Sequence, residues 1–279
     1  MTDRVIKTDK GSVLQHGKFN DRIYLMKLGE KDVPAIISEM DELARNNEYG
    51  KIFARIPLWA LPLFKAGGYI SEAYIPGYIR GMEDIHFVSK FLSSDRLLGI
   101  ETDMLEQFSS LLNKGYVADK QIPEDSGGID AIGEEDAEEA AALFRQVFET
   151  YPFPIHDPQF IIRSMRDNTK YFGIRDKNNK FIAISSAEVD TENLCAEMTD
   201  FAVLKSQRGK KLSIRLLQEM EKHMKKIDIK TLYTIARLNS LPMNRTFLRQ
   251  GYKYTGTLIK NTNISGRIES MNILYKSLK

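Results

Sequence analysis

Cysteine is almost absent from this 279-residue chain, and Cys195 stands alone. A lone thiol forms no intramolecular disulfide, so the fold must rest on buried apolar surface, and the chain suits a reducing compartment. Cys195 lies in an apolar run, which marks it as core filler rather than nucleophile. Histidine is also scarce: His16, His86, His156 and His223 are scattered, and none pairs with another ligand at metal-binding spacing, so no metal is expected. No apolar run reaches the roughly 18 residues of a membrane span, and Met1-Thr2-Asp3-Arg4-Val5 carries no apolar signal core. The expectation is a soluble, cytoplasmic protein with no membrane partner. Three signatures are missing as well: Gly-x-Ser-x-Gly, the phosphate loop ending Gly-Lys-Ser/Thr, and Gly-x-Gly-x-x-Gly. Their absence argues against a serine hydrolase, nucleotide hydrolysis and dinucleotide redox chemistry.

What is present is an ordinary globular composition, with 42% hydrophobic and 28% charged residues and a formal net charge of +2. The length suits two domains. Lys222, Lys225, Lys226 and Lys230 form the main basic cluster, but Glu219 and Glu221 are interspersed and no aromatics interleave, so this is a solvated helix face and not a nucleic-acid surface.

The proline- and glycine-bearing stretch from Lys120 to Gly128 reads as a connection, dividing the chain into units at 1–122 and 127–279. In the second unit the pattern predicts a strand at 128–132, helices at 134–150 and 158–166, a hairpin turning at 176–179, a strand at 195–204 and a long helix to 226. A strand at 231–236, a short helix at 241–250 and two closing strands follow. The expected class is α/β, with a mixed sheet. The first unit echoes the end of the second. Helix, strand and short helix lead to Phe64 with Gly68-Tyr69, as they lead to Phe247 with Gly251-Tyr252, and two strands follow each. The echo lacks a glycine-bearing phosphate turn, which places the chemistry in residues 127–279.

Residues 196–213 carry that chemistry. A strand crosses a short polar turn holding Gly209 and enters a helix whose Leu212, Leu216, Met220 and Met224 recur every four residues. A helix N-terminus behind a turn offers unpaired amides and a favourable dipole to an anion such as a pyrophosphate.

With Ala196-Glu197-Met198-Thr199-Asp200-Phe201-Ala202 before Arg208-Gly209, and Tyr151-Pro152-Phe153-Pro154 upstream, the chain resembles the Gcn5-related N-acetyltransferases (GNAT). Within them it is most similar to the β-lysine N-acetyltransferases of methanogenic archaea and some bacteria. The resemblance spans about residues 128–278 and implies a GNAT acyltransferase fold preceded by a partial GNAT-like domain. It further implies acetyl coenzyme A as co-substrate, with its arm along Phe201, Ala202 and Val203 and its pyrophosphate on the amides of Arg208, Gly209, Lys210, Lys211, Leu212 and Ser213. Lys211 stands where the family usually has glycine; it either crowds the phosphate or adds a charge to it. Glu197 is the first candidate base, and Asp200 the second if a bulge turns it onto the same face. Phe247 holds the position where the family often has a tyrosine acid. Asn244, one turn earlier, either touches the coenzyme arm or caps the helix. Tyr151 and Phe153 are candidates for an apolar substrate wall, and Asp157, Arg267 and Glu269 for polar substrate contacts. The implied reaction is acetylation of the side-chain (N6) amine of β-lysine to a neutral zwitterionic solute for salt tolerance. Alternatives are another small amine, a polyamine, a protein lysine, or a catalytically silent acetyl-CoA-binding module. The oligomeric state is left open.

Overall fold

The computed structural model describes residues 3–116 and 128–278, so the expected boundary at 122–127 lies outside the described residues. Three strands open the chain: β1 (Arg4–Lys7), β2 (Val13–Gly17) and β3 (Arg22–Lys27). Then come α1 (Ala35–Asn46), β4 (Lys51–Pro57), α2 (Leu61–Ala66), β5 (Ile70–Ile79), β6 (Glu83–Phe91), α3 (Ser94–Leu98) and α4 (Thr102–Leu112). The second half runs β7 (Ile129–Ile132), α5 (Ala137–Val147), α6 (Pro158–Arg166), β8 (Thr169–Arg175), β9 (Phe181–Asp190) and β10 (Cys195–Val203). It closes with α7 (Leu212–Lys226), β11 (Thr231–Arg237), α8 (Leu241–Arg249), β12 (Lys253–Ile264) and β13 (Arg267–Ser277). Among the described residues no helix is long and apolar enough to cross a membrane.

Two mixed sheets result, one in the order β1-β2-β3-β4-β6-β5 and the other β12-β13-β11-β10-β9-β8-β7. Their inner strands correspond. β3 lies parallel to β4 as β10 lies parallel to β11, and each closing hairpin inserts its second strand beside that pair. The echo read from the sequence therefore continues upstream of α1, through β1, β2 and β3.

The Phe-x-x-x-Gly-Tyr motifs make the same contacts. In each, the tyrosine amide donates to the phenylalanine carbonyl at 3.1 Å, and the rings meet edge to face at 5.0 Å. A lysine of the last strand sits over each tyrosine and pairs with a helix carboxylate: Lys90 with Asp41 of α1 at 2.7 Å, Lys276 with Glu221 of α7 at 2.6 Å.

Strand alternation decides what each face buries. Ile23 and Leu25 of β3 join Ile36, Ile37 and Met40 of α1 in one core, while Tyr24 points to the other side. That other side packs against the second sheet, where Tyr24, Phe53, Ile75 and Phe87 meet Cys195, Tyr233, Leu258 and Ile273. The back of the second sheet is covered by α7, whose Leu212, Leu216, Met220 and Met224 are all buried with Ala196 and Met198. Phe108 and Leu111 of α4 join this core, so packing crosses between the halves. The sheets also approach closely at Gly256, where an added Cβ would fall 2.0 Å from the carbonyl oxygen of Glu72.

Candidate active site

The two parallel strands at the centre of the second sheet part company early. β10 and β11 pair only at Cys195–Thr231, Ala196–Leu232 and Glu197–Tyr233, although β10 continues to Val203 and β11 to Arg237. A bulge between Thr199 and Ala202 puts one extra residue opposite β9, and Asp200 absorbs it with a left-handed φ of 53°. Beyond Glu197 the β11-facing edge of β10 has no strand partner among the described residues. Such an edge is a template for an extended ligand.

At its end a tight turn at 205–207 leads into exposed Arg208, Gly209, Lys210 and Lys211. Lys211 caps α7 with a left-handed φ of 59°, a conformation glycine adopts without strain, and its side chain is exposed. Lys210 Nζ donates to Gln207 Oε1 at 2.7 Å. Among the described residues no group accepts from the amides of Gly209, Lys210, Lys211, Leu212 or Ser213, and nothing lies within 4 Å of a Cβ built on Gly209. The Leu212 side chain faces the core, so only its amide is offered here. This open, positively polarised cradle has the chemistry of a pyrophosphate site.

Beside the splayed strands lies a cavity of about 150 Å³ between the two sheets. The first sheet contributes Arg22, Tyr24 and Met26 of β3 with Phe53 and Arg55 of β4. The second contributes Glu188 of β9, Glu197 and Asp200 of β10, Ile235 of β11, and residues of β12 and β13. Tyr151 and Phe153, from the loop between α5 and α6, complete the lining. Cationic groups thus come from one wall and carboxylates from the other.

Each charge has a definite setting. Tyr233 favours the ionised form of the Glu197 carboxylate, and its hydroxyl accepts from Arg55 Nη1 at 3.2 Å. Burial raises the Glu197 pKa, against the opposing pull of Arg55 and Tyr233. Glu188 is its cross-strand partner, so two carboxylates stand side by side. Glu188 opens onto the cavity, yet its withdrawal from bulk solvent, and then the charges of Glu197 and Asp200, hold its pKa above the usual carboxylate range. Asp200 is fully engaged: Tyr151 Oη donates to one oxygen and Ser186 Oγ to the other, both at 2.5 Å. Its pKa is raised by burial, with these hydroxyls opposing. Arg55 is fixed by Nε and Nη2, which donate to the Met26 carbonyl at 3.0 and 2.7 Å. Cys195 is a core residue whose thiol is pushed up to about 12 by burial.

The structure therefore brings Glu197, Asp200, Tyr151 and Phe153 together around one cavity. Three other candidates for substrate contact lie outside its lining. Asp157 caps α6, accepting from the Gln159 amide at 2.9 Å. Glu269 is spent on Arg237, through two bonds of 2.9 and 2.8 Å, and on Arg267 at 2.9 Å. Asn244 is wholly buried: Nδ2 donates to the carbonyls of Arg237 and Ser240, and Oδ1 accepts from Asn272. These bonds tie α8 to β11 and β13. Phe247 is 1% exposed and packs edge to face with Phe201 at 5.5 Å, placing no proton donor there. Sequence reasoning passed over Glu188, Arg22 and Arg55. Each is a charge in a strand of mostly apolar residues, as in Ile52-Phe53-Ala54-Arg55-Ile56, and that oddity was the available signal.

Residues 137–252 match the Acetyltransferase (GNAT) family. Over 265 residues the chain is 40% identical to the Beta-lysine N(6)-acetyltransferase of Methanococcus maripaludis, covering 95% of this chain and 96% of that one. It is 32% identical to the N-acetyltransferase YodP of Bacillus subtilis, over 96% of each chain. A second Beta-lysine N(6)-acetyltransferase, from Methanosarcina mazei, is 28% identical over 87% of this chain and 97% of its own.

Proposed function

Because the chain belongs to the Gcn5-related N-acetyltransferase family, and so is an acyltransferase acting on an amino group, we propose that its acceptor is the side-chain amine of β-lysine. The observation that carries this reading is the charge arrangement of the cavity, with two guanidinium groups on one wall and three carboxylates on the other. β-Lysine bears two ammonium groups and a carboxylate at neutral pH, and such a wall pair complements it. A cavity of about 150 Å³ is the size that holds a six-carbon ring, which suits an aliphatic chain lying between Phe53, Ile235 and Met271.

Acetyl coenzyme A supplies an acetyl thioester. The unpaired edge of β10, including Phe201, Ala202 and Val203, fits its extended arm, and the amides of residues 209–213 fit its pyrophosphate, that of Arg208 being taken by the Lys205 carbonyl at 3.4 Å. The remaining work falls to the cavity. An alkylamine of pKa ~10.4 is about 99.9% protonated at neutral pH and cannot attack. Glu197 takes that proton, because burial has raised its proton affinity while Arg55 and Tyr233 keep the ionised form accessible. Asp200 has both oxygens occupied, so it draws the ammonium in by charge and leaves proton transfer to Glu197. With Phe247 in place of a hydroxyl donor, the thiol leaves as thiolate, which its acidity near that of cysteine, about 8.5, permits. Acetylation leaves one ammonium and one carboxylate. A solute of zero net charge accumulates in the cytoplasm without a counter-ion, as salt tolerance requires.

Incubating the purified protein with acetyl coenzyme A and β-lysine, α-lysine or spermidine, with products weighed by mass spectrometry, tests the reading. The expected product is singly acetylated β-lysine, modified at the side-chain amine. Acetyl gain on spermidine or α-lysine but not β-lysine would refute the substrate, and gain on no amine would leave a silent coenzyme-binding protein.

A further inference from the structure

Arg22 is a buried cation without a counter-ion. It is 4% exposed and lines the cavity, and among the described residues it forms no ion pair. Other cations buried at the same junction are provided for: Lys51 pairs with Glu72 at 2.8 Å and Arg96 with Asp21 at 3.0 Å. Arg22 Nη1 donates to the Asn261 carbonyl and, at 3.1 Å, to Thr262 Oγ1. The opposite edge of the guanidinium is idle: Nε is buried with no partner, and Nη2 donates to no described group.

That Nε–Nη2 edge is the fork that grips a carboxylate through two parallel bonds. Its position is fixed, since the guanidinium rests over the rings of Tyr24 and Phe53, 5.3 and 5.6 Å from their centroids. Burial lowers the Arg22 pKa to about 10, which still leaves it charged at neutral pH. Arg55, by contrast, has the same edge filled by the Met26 carbonyl. A buried charge left unpaired is costly, and the carboxylates of this cavity belong to the far wall. The anion that completes Arg22 must then arrive with the ligand.

We propose that Arg22 is the carboxylate-recognition residue of this cavity, so that the N-terminal sheet selects an amino acid over a diamine or polyamine. The proposal rests on the reading of the cavity as the acceptor site, and it names the group that tells a zwitterionic substrate from a plain amine.

The test compares each acid with its carboxamide: β-lysine against β-lysinamide, and α-lysine against α-lysinamide. For the wild-type protein kcat/KM should favour the acid by about tenfold to a hundredfold, the worth of a charge-assisted pair. Arg22→Gln should abolish that preference by losing activity on the acid while changing the amide by less than about threefold. Arg22→Lys, which keeps the charge but not the fork, should retain a reduced preference, and it serves as the second variant if the glutamine protein fails to fold. Equal rates on acid and amide in the wild type, or a variant that loses equally on both, would overturn the proposal, since a purely structural tie to Asn261 predicts equal loss. Preference for α-lysine over both its amide and β-lysine would remove β-lysine as substrate yet uphold carboxylate recognition. Preference for spermidine over every amino acid would remove both.

Discussion

Glu197→Gln keeps the shape of the cavity and removes its proton acceptor. In the wild type, Arg55 and Tyr233, themselves joined by a hydrogen bond, favour the ionised form of Glu197 against its burial, so the carboxylate is electrostatically tuned. With a substrate pKa of ~10.4, only about 0.04% of the amine is free at pH 7. The glutamine variant must wait for that fraction, so its rate climbs about tenfold per pH unit until the amine itself titrates. The wild type climbs only while Glu197 ionises, and its acid limb lies above the usual carboxylate range because burial raises the group. A general base contributes roughly 10²- to 10⁴-fold, so the variant should fall by that factor near neutrality and approach the wild type near pH 10. Steady-state rates from release of the free thiol, measured from about pH 6 to about pH 10, give both profiles. A loss that is constant across this range, or a profile unchanged in shape, would show that Glu197 does not handle the proton.

Three further outcomes follow from neighbouring groups. Arg55→Met removes the cation that favours ionised Glu197, so the acid limb of the wild-type profile should move upward by about one pH unit; a downward or absent shift would contradict the assigned coupling. Stability should also respond. Glu188, Glu197 and Asp200 all have folded-state pKa values raised above their unfolded ones, so the native state binds more protons, and stability falls as pH rises from about 4.3 through the raised values. Urea midpoints should therefore drop toward alkaline pH, and the Glu188→Gln/Glu197→Gln double variant should show a flatter curve; an unchanged slope would refute the assignment. Finally, Lys211→Gly relieves a left-handed residue at the start of α7 and should stabilise the fold by about 0.5–1 kcal/mol. With backbone amides as the proposed hold on the pyrophosphate, its KM for acetyl coenzyme A should stay within about threefold; a rise beyond tenfold would mean that the lysine charge carries the contact.

Local signals in the chain translated well. Asp157-Pro158 starts α6 as an N-cap followed by proline should, and the four-residue recurrence of Leu212, Leu216, Met220 and Met224 is the buried stripe of α7. The glycine-bearing turn into α7 and the Asp200 bulge were legible for the same reason: they are written in adjacent residues. Two things were not. β1 is exposed along its whole length and carries no alternation, so nothing marks it before it pairs with β2. The cavity joins residues remote in sequence, with Arg22 touching Asn261 239 positions away, and no local pattern announces such a meeting. Charge alone also misleads about availability. Glu269 looked free to meet a substrate, but it is buried and bonded by both Arg237 and Arg267.

The duplicated sheets explain why the cavity has oppositely charged walls. Lys90 and Lys276 occupy equivalent places, so their strand partners Ile52 and Leu232 are equivalent, and through these so are Ile23 and Ala196. One residue on, Tyr24 stands where Glu197 does, and both line the same cavity. The first copy has thus no carboxylate at the position of the proposed base. Its turn before α1 is sealed too. Asp32 accepts from Thr8 at 2.6 Å and from the Ser12 amide at 3.0 Å, and the Gly29 amide is taken by Ser12 Oγ. A buried carboxylate in that turn repels a phosphate that the corresponding turn before α7 would attract. On the proposed reading the first copy needs neither a coenzyme turn nor a base, and is free to place arginines on the face it turns to its partner. Arg22 and Arg55 stand on that face, which is how one repeated architecture yields an acidic wall opposite a basic one, the pair that the proposed zwitterionic substrate needs.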